Sequence, residues 1–259
     1  VFRDYFDVTN KVVFIKMDAY ALGDTIAWIP YVEEFRKKNS CKVICSTFHN
    51  DILTAAFTNI MFVKPNTVIE NVYAQYYVGA TNDDNLFYSP IKVNEHPLQD
   101  VAARILGLKP IELKPDLTIN YNHLSSRVNG KYVTLSEYGS NESKHWKANN
   151  GWQHIVNYLN AKGYKVLVIS KEKTKLNNVI DLSGDISLNE RIIDIMHADF
   201  HLGVSSGLSW LAWALNTHVI MISDVTPNWH EFHSGITRLN SNDLNTINYL
   251  SENQTTVDD

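Results

Sequence analysis

The chain has 259 residues, 44% hydrophobic and 20% charged, which is enough apolar material for one large domain or two small ones. Lysine plus arginine number 23 against 28 aspartates and glutamates, and the resulting charge of −5 argues against broad electrostatic binding of nucleic acid or an anionic membrane. No apolar run approaches the ~20 residues that span a bilayer, and the composition excludes collagen-like, disordered and disulfide-scaffold classes.

The opening Val1-Phe2-Arg3-Asp4-Tyr5 has neither an initiator methionine nor a secretion-signal pattern, as expected of a trimmed, cytoplasmic chain. Val12-Val13-Phe14-Ile15 is a short apolar run, the pattern of a buried parallel strand. After the loop Asp18-Ala19-Tyr20-Ala21-Leu22-Gly23, Asp24 stands as a candidate N-cap, and Ile26, Ile29, Val32 and Phe35 recur at helical spacing. Arg36-Lys37-Lys38 put positive charge in the last turn, where the helix dipole favours it. Pro30 is expected to kink or break this helix.

The next strand covers 42–47. Cys41 and Cys45 are the only cysteines, separated by roughly 13 Å of extended chain. A disulfide needs less than about 7 Å, so free thiols are expected, which fits a reducing compartment. Cys45 reads as a small core residue. A short helix over 51–57 and a strand over 60–63 follow. Residues 64–95 hold Tyr73, Tyr76, Tyr77, Phe87 and Tyr88 among polar residues and show no clear period. A helix over 97–106 ends at Gly107.

Residues 109–130, with Pro110, Pro115 and a polar stretch, read as a linker between domains at 1–120 and 121–259. The second half opens with a strand over 131–136, then a helix over 151–162 that puts Trp152, Ile155, Val156 and Leu159 on one face, with Gly163 past its end. A strand over 164–169 follows. Ser187-Leu188-Asn189-Glu190 is a capping box opening a helix to about His197. A strand over 200–204, a small apolar helix over 207–215 and a strand over 218–222 complete the pattern; the last thirty residues are weakly patterned. This alternation in both halves implies two open α/β domains with parallel sheets, with a ligand at the carboxyl ends of the strands in the cleft between them.

Three loops stand where such sheets place chemistry. Tyr20-Ala21-Leu22-Gly23-Asp24-Thr25 follows a buried strand and opens a helix; Gly23 lets the backbone approach a ligand and Asp24 can act as a general base, an ordinary capping aspartate being the alternative. In Ser136-Glu137-Tyr138-Gly139-Ser140-Asn141-Glu142-Ser143-Lys144-His145-Trp146, Lys144 offers a compact charge to a phosphate, against the alternative of a solvated loop lysine beside a packed Trp146. Gly203-Val204-Ser205-Ser206-Gly207-Leu208-Ser209-Trp210 takes a strand into a helix start through small residues. Free N–H groups and the helix dipole make an anion site there, and a tight turn needing small residues is the alternative. Trp210 and Trp213 read as core.

There is no Gly-x-Gly-x-x-Gly fingerprint and no phosphate loop ending in Gly-Lys-Ser/Thr, and His230-Glu231-Phe232-His233 misses the zinc-protease spacing. Two thiols do not make a structural zinc finger. Scattered histidines such as His49, His96 and His123 read as surface or satisfied core, and the sequons Asn141-Glu142-Ser143 and Asn253-Gln254-Thr255 as chance.

Together and in order, the loops resemble a known family. Residues 23–38, from Gly23-Asp24-Thr25 to Arg36-Lys37-Lys38, resemble the first motif of the bacterial autotransporter heptosyltransferases. Lys144-His145-Trp146 followed by Gly151-Trp152-Gln153 resembles their second motif, and residues 206–215, from Ser206-Gly207-Leu208 to Ala214-Leu215, their third. The lipopolysaccharide heptosyltransferases of glycosyltransferase family nine share the layout more loosely.

The resemblance implies a GT-B fold, two Rossmann-like domains facing across a cleft. It implies inverting transfer of a heptose from ADP-heptose to a hydroxyl, a protein serine in the autotransporter branch. It makes Asp24 the base that deprotonates the acceptor. It places Gly23, Thr25, Ser136, Lys144, Ser205, Ser206, Gly207, Leu208 and Ser209 on the donor, with no cofactor beyond the nucleotide-sugar and no metal, in keeping with the lack of an Asp-x-Asp motif. The implied partners are a sugar nucleotide and an acceptor protein or glycan. The alternatives are a non-catalytic sugar-nucleotide-binding protein of this fold, or transfer to another acceptor such as a glycan or modified DNA. Three departures stand out. No cysteine follows Cys45, so the family's four-cysteine iron site is not expected. The chain begins almost at the first strand, where relatives carry an extension. Ser205 and Trp210 stand where the lipopolysaccharide branch has Asp and His.

Overall fold

The computed structural model describes residues 7–17, 19–79 and 95–240. Asp18, Phe87, Tyr88 and Asn253, named above, lie outside the described residues, as does most of the weakly patterned C-terminal stretch. By their internal contacts the residues form two units, one running to Asn120 and including Trp229–Glu231, the other made of Tyr121–Asn228 and residues from Phe232 onward. The excursion at 229–231 is tied to the first unit by the Leu98 N–H, which donates to the His230 carbonyl at 2.9 Å.

In the first unit, β1 (Val12–Lys16) is central, with β2 (Lys42–Ser46) on one side, β4 (Ala74–Tyr77) on the other and β3 (Ile60–Val63) outside β2. All pairings are parallel. Val13, Phe14 and Ile15 are buried, which accounts for an unbroken apolar run rather than an alternating one. β4 falls in the stretch that shows no period. It is a half-buried edge strand whose shape comes from pairing with β1, not from its own pattern.

Helix α1 (Leu22–Asn39) continues through Pro30, so of the expected kink or break the break does not occur. The missing N–H costs about 3 kcal/mol. Ala27, Trp28, Ile29 and Tyr31 around it are all fully buried and repay that cost through packing. The Trp28 indole donates to the Leu98 carbonyl at 2.9 Å, and the Tyr31 hydroxyl donates to the Ile111 carbonyl. The expected helix over 51–57 is a single turn, α2 (Asn50–Leu53), after which the chain folds as turns; α3 (Leu98–Ile105) ends at Gly107 with φ +63°.

Among the described residues the second unit holds six parallel strands: β5 (Tyr132–Ser136), β6 (Lys165–Val168), β7 (Ile180–Asp181), β8 (His201–Val204), β9 (Val219–Ile222) and β10 (Ile236–Leu239). Their spatial order is β10-β9-β8-β5-β6-β7, the Rossmann order, with its switch point between β5 and β8. β7 and β10 are short edge strands that the sequence did not announce. Helices α4 (Gly151–Ala161), α5 (Leu188–Met196) and α6 (Gly207–Ala214) connect the strands; Ser187 and Ser206 cap the last two through their side chains. Val133, Leu135, Trp152, Val156, Val166, Val168, Leu202 and Val204 form the core. Trp210 and Trp213 are buried, and Trp213 stacks on Phe232 at 4.7 Å. Among the described residues no helix is long and apolar enough to cross a membrane.

Candidate functional site

The first loop leaves β1 at the place where strand order reverses, since α1 leads to β2 on one side while β4 flanks the other. Ala21, not Asp24, is the N-cap of α1, in an extended conformation and with no side-chain cap bond. Helical geometry starts at Leu22, so Asp24 is the third helical residue, a first-turn position where the dipole favours a negative charge. Asp24 is half-buried and Gly23 buried. Thr25 is fully buried, and its hydroxyl donates to the Ala21 carbonyl at 3.4 Å, so its side chain holds the turn rather than facing outward. Tyr20 is 80% exposed and stacks on Phe48 at 3.9 Å. His49 donates from Nε2 to the Tyr20 carbonyl at 3.1 Å, which fixes its tautomer because a carbonyl only accepts.

The other two loops meet at the β5–β8 switch point. Lys144 ends a 3₁₀ turn, Glu142–Lys144, closed by its own N–H on the Asn141 carbonyl at 3.0 Å. Gly139 joins this loop to the turn after β8. A Cβ placed on it would lie 3.2 Å from the Ser205 carbonyl oxygen and 3.7 Å from the Lys144 Cβ. In that turn Ser205 and Ser209 are buried while Ser206, Gly207 and Leu208 are half-buried. The Ser209 hydroxyl donates to the Val204 carbonyl at 2.8 Å, and Ser206 Oγ accepts the Ser209 N–H at 3.5 Å. The first helical bond of α6 runs from the Trp210 N–H to the Ser206 carbonyl at 3.2 Å. The N–H groups of Gly207 and Leu208 precede it and take no partner among the described residues, which is the chemistry of an anion site at a helix start.

Ser136 is fully buried at the end of β5, and its hydroxyl meets His201 Nε2 at 3.1 Å; His201 Nδ1 meets the Thr134 hydroxyl at 3.0 Å. Ser136 thus reaches the switch point through its backbone, its side chain being engaged inside the sheet. Complete burial pushes the imidazole pKa down to about 3, so His201 is neutral at ordinary pH. The register explains the bridge: His201 pairs with Thr134 and Gly203 with Ser136, and the absent side chain at 203 leaves room for the Ser136 hydroxyl. A Cβ on Gly203 would lie 2.3 Å from Ser136 Oγ and 3.0 Å from His201 Nε2. Gly203→Ala is expected to destabilise the fold by ~1–3 kcal/mol through overpacking, read as a lower midpoint in urea. An unchanged midpoint would show that the bridge yields without cost.

Burial also raises the pKa of the Glu137 carboxyl, next along the chain, whose Oε2 has no hydrogen-bond partner among the described residues. His201 has no signal in the sequence, and Gly139 stands there only as one residue of the Lys144 loop. The glycine's role depends on a contact across 66 residues and the histidine's on strand register, and neither leaves a local signal.

Two parallel α/β units of Rossmann type, the second with an open helix start and a lysine loop at its switch point, define the GT-B class of fold. Residues 96–230, just over half of the chain, match the family model of glycosyltransferase family 9 (heptosyltransferase). The chain belongs to that family. It is 32% identical over 251 residues to the autotransporter heptosyltransferase Aah of Escherichia coli, covering 92% of this chain and 63% of the relative. It is 30% identical over 257 residues to the inactive autotransporter heptosyltransferase BimC of Burkholderia thailandensis, covering 95% and 60%. The crystal structure of TibC, an iron-containing dodecameric glycosyltransferase of enterotoxigenic E. coli, superposes with a TM-score of 0.80 at 27% identity, covering 89% of this chain and 63% of that one. A second TibC structure, with ADP-D-β-D-heptose bound, has a TM-score of 0.76 at 26% identity, covering 88% and 64%. The chain therefore spans about three-fifths of the length of the curated relatives it matches.

The residues present do not fit an iron centre. Cys41 and Cys45 are buried free thiols in the first unit, and among the described residues no three His, Cys, Asp or Glu side chains are grouped to hold a metal ion.

Proposed function

We propose that the chain transfers a heptose from ADP-heptose to a hydroxyl acceptor, a protein serine or a glycan, with Asp24 as general base and no metal ion in the transfer step. The acceptor oxygen attacks the anomeric carbon from the face opposite the diphosphate, the sugar–phosphate bond breaks, ADP leaves and the acceptor proton passes to Asp24. Negative charge grows on the leaving diphosphate. Lys144 and the N–H groups of Gly207 and Leu208 stabilise that charge, and preorganised donors of this kind act without reorganising as the charge develops. Ser205, Ser206 and Ser209 shape the turn that presents those amides, Ser136 ends the strand beneath it, and Gly23 and Thr25 hold the turn that carries Asp24.

The observation that carries this reading is the open α6 start beside Lys144 at the switch point of a family 9 chain. The relation to inactive BimC, nearly as close as that to Aah, favours a second reading, a sugar-nucleotide binder without turnover. Thermal shifts with ADP-, UDP- and GDP-sugars test the donor. A ligand at a hundred times its Kd stabilises by about 2.7 kcal/mol, so ADP-sugars are expected to raise Tm, and Lys144→Ala to abolish most of the rise. Indifference to every ADP ligand would sink both readings. Binding without turnover across serine and glycan acceptors would establish the second.

A further inference from the structure

We infer that His145 is a positioning residue, a latch that holds the Lys144 loop in the shape needed to meet a diphosphate; this rests on the donor-binding reading above. His145 Nε2 lies 3.0 Å from the Gly139 carbonyl oxygen, which can only accept, so the proton sits on Nε2 and the bond closes the loop across six residues. The imidazole also packs edge-on against Tyr138, centroids 5.2 Å apart. The far side of the loop is pinned independently. Trp146 is buried edge-to-face against Trp152 at 5.1 Å, and its ring fills the space where a Cβ on Gly151 would fall, 2.3 Å from Cη2. Lys144 directly precedes these two anchors, inside the loop the His145 bond closes; it is half-buried, with an ammonium that takes no hydrogen bond or ion pair among the described residues.

The latch also sets where the loop rests. Gly139, whose carbonyl His145 grips, is the residue that abuts the Ser205 carbonyl and the Lys144 Cβ. Gripping Gly139 therefore keeps Lys144 beside the turn whose amides start α6. A lysine has four rotatable stem bonds and is a poor reader of geometry by itself; a fixed backbone at its root limits the volume its ammonium samples. The asymmetry between the two flanks matters. Trp146 fixes the loop to the core and its loss would be felt as instability, whereas the His145 bond is half-buried and spans only the loop itself.

The test is ADP affinity by calorimetry on the intact chain, with Tm as the control. His145→Ala is expected to weaken ADP binding about tenfold, the equivalent of one lost hydrogen bond, with little change in Tm. His145→Gln, whose amide N–H can reach the same carbonyl, is expected to recover most of it. In a Lys144→Ala background, His145→Ala should add nothing, because the latch acts through the lysine. Gly139→Ala keeps the histidine but crowds the Ser205 carbonyl, and should weaken ADP several-fold, which covers the case of a histidine variant that folds poorly. Wild-type affinity in both His145→Ala and Gly139→Ala overturns the latch, as does a full extra tenfold loss in the double variant. No ADP binding by the wild type overturns the donor reading itself, and the latch with it.

Discussion

Asp24→Asn is expected to cut transfer by 10²–10⁴-fold, the usual worth of a positioned general base, while donor affinity stays within about threefold. The substitution is nearly isosteric, so the α1 start keeps its shape: Ala21 remains the extended cap and Thr25 keeps its bond to the Ala21 carbonyl. Proton acceptance is lost together with the carboxylate's charge. The position suits an anion, since the third residue of a helix lies within the first turn, where the dipole stabilises a carboxylate. Single-turnover transfer from ADP-heptose, with ADP affinity measured alongside, checks the expectation. Wild-type turnover in the asparagine variant removes Asp24 from the chemistry and leaves it a first-turn acid with a purely structural effect.

Acidification is the second large effect. His201 has a folded pKa of about 3 against about 6.5 when unfolded. A depressed pKa means that the folded state holds fewer protons than the unfolded chain between those values. The stabilisation is complete above pH 6.5 and is lost as pH falls toward 3. The slope is about 1.4 kcal/mol per pH unit, so ~2 kcal/mol is gone by pH 5 and ~5 kcal/mol at the acid end. Protonation fails inside the sheet because complete burial leaves the imidazolium no water, and its neighbours, the Thr134 and Ser136 hydroxyls, carry no compensating charge. His201→Gln can still bond a hydroxyl and does not titrate. Its urea midpoint should therefore fall less steeply than the wild type's between pH 7 and 5. Parallel profiles would assign the acid sensitivity to other groups.

Much of the fold is legible because central strands and amphipathic helices write their burial into residue order. Val13, Phe14 and Ile15 are apolar without interruption because β1 is covered on both faces, and Trp152, Val156 and Leu159 recur at helical spacing because only one side of α4 meets the core. Of the edge strands only β3, the apolar run Ile60–Val63, carries such a record. β4, β7 and β10 are short and incompletely buried, and the ladder bonds of a neighbour rather than their own pattern define them. For a related reason Pro30 does not end its helix. Local propensity argues against helix there, and the buried surroundings of Trp28 and Tyr31 outweigh it.

From the order of amino acids alone came the alternation of strand and helix, the three loops that follow apolar runs, and the identity of the groups they offer: a carboxylate, an ammonium and a glycine-bearing helix start. These are local properties, set within a few residues of each other. Tertiary structure decided which of those groups remain available. It engages the Ser136 hydroxyl with His201, the Thr25 hydroxyl with Ala21 and the Ser209 hydroxyl with Val204, and among the described residues it leaves the Gly207 and Leu208 amides and the Lys144 ammonium without partners. Strand register and loop closure bring together residues tens of positions apart, and hydrogen-bonding capacity is consumed by whatever lies nearest in space.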